Sequence, residues 1–285
     1  MDTVKRILLV DDDAGVIDFL SAALRGEGQI ESASTAEEAI DRLRRTSYDL
    51  ILTDLKMPGM GGLELLRLVQ EIQPEPRVIV MTGNSAPYAI AESLRRRAFS
   101  YLVKPFSVTA LRDSVRNALS SSNGRDDILI LSAKPDWIAL SLRCKLEIAD
   151  RILTFLRAMD VDLSEQEQDH MATVFRELLV NAIEHGGHSD PEKRVDLTCV
   201  RTPSAIIYHL RDPGEGFSFD QIPHAAISNA PEDPVGHTEI RDQLGIRPGG
   251  FGLLLTRKLA DELIYNEKGN EVMVVKYFKA TKHNA

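Results

Sequence analysis

The stretch Leu50-Ile51-Leu52-Thr53-Asp54-Leu55-Lys56-Met57-Pro58-Gly59 runs from four residues of strand character into one carboxylate and then into turn residues. An apolar run of that length, closed by Pro and Gly, predicts a strand buried on both faces with Asp54 at its carboxyl end. Similar runs occupy residues 7–10, 29–33, 78–81 and 100–103, and amphipathic stretches follow at 15–24, 36–44, 62–71, 87–97 and 109–119. Strands alternating with helices at this spacing predict an α/β fold, a doubly wound five-stranded parallel sheet with helices on both faces. In such a sheet the site lies at the carboxyl ends of the strands.

The residues at those ends define the chemistry. Asp11, Asp12 and Asp13 follow the first run, Asp54 the third, Thr82 the fourth, and Lys104-Pro105 the fifth. Three converging carboxylates repel one another unless a hard divalent cation lies among them, and oxygen ligands with retained waters suit Mg²⁺. Such a metal can neutralise an incoming phosphoryl group while Thr82 and Lys104 take its remaining oxygens and one carboxylate acts as nucleophile. Asp13 also suits a helix N-cap, and Lys104-Pro105 is a candidate cis peptide. In this order the motifs resemble a response-regulator receiver domain, over about residues 3–120. The resemblance implies that Asp54 is phosphorylated, that Asp11 and Asp12 hold Mg²⁺ beside it, and that Thr82, Lys104 and Tyr101 relay the change, with Tyr101 turning inward.

The chain has 285 residues, which predicts two domains, and 43% hydrophobic with 27% charged residues is the range of ordinary globular proteins. No apolar run approaches the ~20 residues of a membrane-spanning helix, and residues 1–10 do not read as a signal peptide, so a cytoplasmic location is expected. Cys144 and Cys199 offer neither a disulfide framework nor metal-ligand spacing. Of the net charge of −9, residues 1–121 carry −2 and residues 122–285 carry −7. An acidic second half argues against an output that binds nucleic acid. Ser120-Ser121-Ser122-Asn123-Gly124 lacks apolar periodicity, giving a receiver domain at 1–120, a linker at 121–126 and a second domain at 127–285.

The second domain begins with a strand at 128–131, followed by helical spacing over 137–159 with Trp137 as a packing anchor. Ser164 and Glu167 form a capping-box signal for a second helix. That helix carries Glu177, Asn181 and His185 at i, i+4 and i+8, on one face, and Gly186-Gly187 reads as its C-cap. Strands at 195–200 and 205–210 lead into Asp212-Pro213-Gly214-Glu215-Gly216-Phe217. Later come Arg247-Pro248-Gly249-Gly250-Phe251-Gly252-Leu253, a helix over 253–263 and a strand over 271–278. Glycines ahead of a helix let backbone amides approach phosphate.

In order, these segments resemble the N, G1 and G2 boxes of the GHKL ATP-binding superfamily, which includes gyrase, MutL, a heat-shock chaperone and histidine kinases. The Glu177/Asn181 helix, His185-Gly186 and the helix after Gly252 are most similar to the anti-sigma-factor serine kinases. The resemblance implies a GHKL-type α/β sandwich with a mixed sheet, and ATP and Mg²⁺ as cofactors. Asn181 would ligate Mg²⁺, Asp212 would accept from the adenine amino group, and Gly214 and Gly216 would make room for the base. Gly249, Gly250 and Gly252 would cradle the phosphates, and Glu177 would be the general base. Gly269-Asn270-Glu271 departs from the usual Gly-Thr before the last strand. A histidine kinase is not expected, since residues 125–165 contain no histidine. The expected activity is a receiver-controlled protein serine/threonine kinase acting in a partner switch; the alternatives are an ATP-dependent module that sequesters a sigma factor or its antagonist, and an ATPase. Expected partners are a sensor histidine kinase, an anti-sigma-factor antagonist or sigma factor, and a second copy of the chain, with neither nucleic acid nor membrane among them.

Overall fold

The computed structural model describes residues 4–73, 76–83, 87–120, 127–159, 162–217, 243 and 252–279. It divides into two compact units, Met1–Gly124 and Arg125–Ala285. The expected linker, 121–126, lies outside the described residues. No helix among those described is long and apolar enough to cross a membrane.

The first unit runs β1 (Arg6–Val10), α1 (Ala14–Ala23), β2 (Gln29–Ala33), α2 (Ala36–Arg45), β3 (Leu50–Asp54), α3 (Gly62–Ile72), β4 (Arg77–Thr82), α4 (Pro87–Arg95), β5 (Ser100–Val103) and α5 (Val108–Ser120). The strand order is β2-β1-β3-β4-β5 and every ladder is parallel. All five residues of β3 are buried, as a strand covered on both faces requires. Leu9, Leu52 and Met81 meet Leu20, Leu111 and Val115 in one core. The chain turns from β1 outward to β2 and then back past β1 to β3. That reversal opens a crevice at the carboxyl ends of β1 and β3.

The second unit contains β6 (Ile128–Lys134), β7 (Trp137–Arg143), α6 (Leu146–Met159), α7 (Glu165–Asn181), a π-turn (Ala182–Gly186), β8 (Arg194–Arg201), β9 (Ala205–Arg211), α8 (Gly252–Leu259), β10 (Glu262–Tyr265) and β11 (Glu271–Tyr277). Its six strands lie in the order β10-β11-β9-β8-β7-β6. Leu140, Leu197, Leu210, Val272 and Tyr265 form one row across five of them. On the same side α7 buries Met171, Val174, Phe175 and Leu178, and the Phe175 ring lies 5.4 Å from that of Tyr208. The opposite side is polar in places, as where Ser141 donates to the Asp196 carboxylate at 2.7 Å. This is the expected α/β sandwich, but its ladders among the described residues are all antiparallel rather than mixed. Three neighbour pairs are hairpins, the connection through α6 and α7 sets β8 antiparallel to β7, and β11 lies between β9 and β10 antiparallel to both.

Two further expectations are corrected. Residues 137–143 are strand β7 and not the start of a helix: Ile138, Leu140 and Leu142 are buried with period two, and Pro135-Asp136 turns the chain from β6. Trp137 opens that strand at 50% exposure and anchors no core. The helix expected over 253–263 stops at Leu259, and residues 262–265 pair with β11. Asp261 fixes the corner by accepting from Lys276 Nζ and from the Tyr277 backbone N–H, both at 2.8 Å.

The capping box is present. The Ser164 hydroxyl accepts from the Glu167 N–H at 3.4 Å, and Glu167 accepts in return from the Ser164 N–H at 3.0 Å. The Ser164 hydroxyl and then Lys279 hold the Glu167 carboxyl down to about 2. Folding therefore lowers this pKa, so the stabilisation is present above the ordinary carboxylate range and is lost as pH falls towards about 2. Ser164→Ala is expected to cost about 1 kcal/mol in urea unfolding of the full chain at neutral pH. An unchanged midpoint and slope would show that the cap contributes nothing.

Candidate phosphorylation and nucleotide sites

In the first unit, parallel strands bring the predicted residues to one edge. Lys104, just past β5, donates to Asp11 Oδ2 at 2.8 Å and to Asp54 Oδ1 at 2.7 Å. Asp11 and Asp54 are 2% and 6% exposed, so this shared ammonium is what compensates two buried charges. Burial works against the Lys104 cation, but the two carboxylates outweigh it and raise its pKa. Asp54 Oδ2 accepts from the Lys56 N–H at 2.6 Å, and Asp11 Oδ1 from the Asp13 N–H at 3.0 Å. Asp12 is exposed. Asp13 caps α1 through the N–H groups of Gly15 and Val16, and Lys104-Pro105 is cis. Thr82 is buried, and Tyr101 is completely so; burial raises its phenol against a hydrogen bond with Thr82 that lowers it. The inward position expected of Tyr101 after a switch is thus already occupied in this conformation.

In the second unit, Glu177 and Asn181 sit one turn apart on α7, both half-buried. The helix then widens: the Gly187 N–H bonds the Ala182 carbonyl at 2.8 Å, five residues back. A wide turn returns the fifth residue, not the fourth, to the same face. His185 is therefore exposed, and Gly186 lies against the Asp212 side chain so closely that a Cβ would overlap the carboxylate. Gly186-Gly187 is accordingly no left-handed C-cap. That backbone falls at His188 and Ser189, with φ of 57° and 52°.

Asp212 follows β9, and its Oδ1 accepts from the Gly214 N–H at 2.8 Å. Burial raises its carboxyl, while the Gly214 N–H and the nearby Lys268 charge pull it down. Tyr265 is half-buried beside it, and its ring stands edge-on to Phe217 at 5.4 Å. Gly216, at φ 82°, packs on the Lys268 carbonyl, where any Cβ would collide. Gly252 begins α8 directly against the Glu177 carboxylate. Gly249 and Gly250 lie outside the described residues.

Residues 7–116 match the family model of the response regulator receiver domain. Among curated relatives, sporulation initiation phosphotransferase F of Bacillus subtilis is 35% identical over 116 residues, which are 40% of this chain and 94% of that protein. The chain belongs to the response regulator receiver family. Residues 143–276 match the histidine kinase-like ATPase domain, so the receiver is fused to a GHKL-type domain. The response regulator protein FleR of Pseudomonas aeruginosa is 35% identical over 261 residues, 90% of this chain and 52% of FleR. The chain thus spans about half the length of that relative. The crystal structure of a CheY-like receiver domain protein from Methanospirillum hungatei covers 41% of this chain and 94% of its own, at 33% identity and a TM-score of 0.40.

Receiver and GHKL domains generally use Mg²⁺ and ATP, and the residues present fit both. At the receiver edge the donors are carboxylates alone, which favours a hard cation. Among the described residues no three acidic, His or Cys side chains are grouped tightly enough to hold a metal ion unaided. Mg²⁺ commonly keeps several waters and needs only one or two carboxylates, so Asp11 and Asp54, with Asp12 at the rim, suffice. In the GHKL domain, a half-buried carboxylate packed against Gly186 and Gly214 offers an acceptor that only glycines at these positions can approach so closely. Sequence reasoning missed the role of Gly186, because a π-turn has no sequence signal of its own. It noticed Asn270 only as a departure from a motif.

Proposed function

We propose that this response regulator takes a phosphoryl group on Asp54 and thereby controls an ATP-dependent protein serine/threonine kinase in its GHKL domain. The observation that carries the first half is the Lys104 ammonium bridging Asp11 and Asp54 at 2.8 and 2.7 Å. In this step Asp54 attacks phosphorus, the bond to the donor's leaving group breaks, and an acyl phosphate forms. Lys104 and Thr82 then compensate the new oxygens. Bound Mg²⁺ supplies further neutralisation of the phosphoryl charge. A sensor histidine kinase is the natural donor.

For the second half, Asp212 accepts from the adenine amino group, Gly214 and Gly216 admit the base, and Asn181 ligates Mg²⁺. Gly249, Gly250 and Gly252 hold phosphates at the start of α8. Glu177, beside Gly252, takes the proton of a serine or threonine hydroxyl. The proposed substrate is an anti-sigma-factor antagonist, with a second receiver copy as a further partner. The same carboxylate can activate water, so ATPase activity is the competing reading.

Incubating full-length protein with γ-labelled ATP and candidate antagonist proteins separates the cases. Label on a serine or threonine of the partner is expected, and its rate should differ between acyl-phosphate-treated protein and Asp54→Asn. Label released only as inorganic phosphate would make it an ATPase; ATP retained unchanged in a stable complex would make it a binding module.

A further inference from the structure

The turn that carries Asp212 is gripped from outside by Asn270, which is 8% exposed. Its Nδ2 lies 3.3 Å from the Asp212 carbonyl and 3.5 Å from the Gly214 carbonyl, and its Oδ1 accepts from Asn266 Nδ2 at 3.0 Å. Its own backbone carbonyl accepts from the Asp212 N–H at 3.0 Å. Asn266 is fixed in turn, its Oδ1 accepting from the N–H groups of Gly269, Asn270 and Glu271 at 2.8, 3.1 and 3.2 Å. Lys268 Nζ reaches the Gly214 carbonyl at 3.1 Å. A carboxamide has two N–H groups and one carbonyl. Here each N–H has a carbonyl of the Asp212 turn to serve and the oxygen has a donor in Asn266, so the side chain is engaged in holding the turn.

On this basis, and resting on the ATP-site reading above, we propose that Asn270 is a positioning residue that sets base selectivity through Asp212. One Asp212 oxygen is occupied by the Gly214 N–H, and Oδ2 has no hydrogen bond among the described residues. An exocyclic amine donates well to that oxygen. A purine with a carbonyl in the same place sets lone pair against lone pair, and it is rejected only while the turn cannot yield. Asn270 holds the turn at both carbonyls, which a single hydroxyl at this position would not do. Selectivity therefore depends on a side chain that acts on the base through Asp212.

The test is Asn270→Asp, which keeps the shape and the Asn266 bond but turns an oxygen towards two carbonyls. Mg-ATP and Mg-GTP affinities of the full chain are measured by calorimetry, with unliganded melting as the check on folding. Wild type is expected to favour ATP, and the variant to lose about tenfold of that preference, chiefly through weaker ATP binding. If N270D fails to fold, Asn270→Ser is read the same way. A variant that keeps the wild-type ATP-to-GTP ratio overturns the proposal, even where both affinities fall together. So does wild type binding both nucleotides equally. Wild type that binds neither nucleotide overturns the ATP-site reading itself, a distinguishable result.

Discussion

Asp54→Asn is expected to abolish labelling of the full chain by a small acyl-phosphate donor, taking a hydroxylamine-sensitive signal to background. The carboxylate is 6% exposed and has one oxygen on Lys104 and the other on the Lys56 N–H. An amide keeps that shape but cannot form an acyl phosphate, since its nitrogen is no nucleophile at neutral pH. The pocket should survive the change, because Lys104 keeps Asp11 at 2.8 Å and the strand beneath is buried throughout. A clean chemical loss is therefore distinguishable from unfolding by an unchanged melting temperature. Label that persists undiminished on Asp54→Asn would mean that another nucleophile is the acceptor.

The receiver was legible because its chemistry sits at strand ends. Each strand is a short apolar run stopped by a charged or hydroxyl residue, and parallel order alone brings Asp11, Asp54, Thr82 and Lys104 together. Their convergence needs no knowledge of loops. The GHKL domain was less legible for the opposite reason. Trp137-Ile138-Ala139-Leu140-Ser141-Leu142-Arg143 is a period-two strand that was absorbed into the helical spacing of its neighbour, because Leu140 and Leu142 lead directly into the apolar positions of α6 at Leu146, Ile152 and Phe155. Residues 260–265 failed similarly, where a helix passes to a strand through two residues. The π-turn could not be foreseen at all. Its one extra residue follows from packing Gly186 on Asp212 and Gly187 on Cys144, contacts 26 and 43 residues apart in sequence.

That turn also bears on the proposed catalysis, since His185 is exposed while Glu177 and Asn181, near the end of α7, are half-buried. Glu177→Gln is then expected to bind Mg-ATP with near wild-type affinity while losing phosphoryl transfer by about 10²–10⁴-fold, the usual contribution of a positioned base. Glutamine preserves the volume that packs against Gly252, so the contact between α7 and the start of α8 should hold. What changes is that an amide cannot take a proton. Removing a carboxylate from beside the N-terminus of α8 also forfeits at most about 0.3–1 kcal/mol of dipole interaction, which is too small to account for such a loss in rate. Asn181→Ala should behave in the reverse sense, weakening nucleotide affinity in the presence of Mg²⁺ and much less in its absence. The pair separates proton transfer from metal binding on adjacent turns of one helix. Single-turnover measurements at saturating Mg-ATP, with affinities taken independently by calorimetry, provide the check. Wild-type turnover in Glu177→Gln would place the base elsewhere, and wild-type behaviour in both variants would remove this face of α7 from the active site.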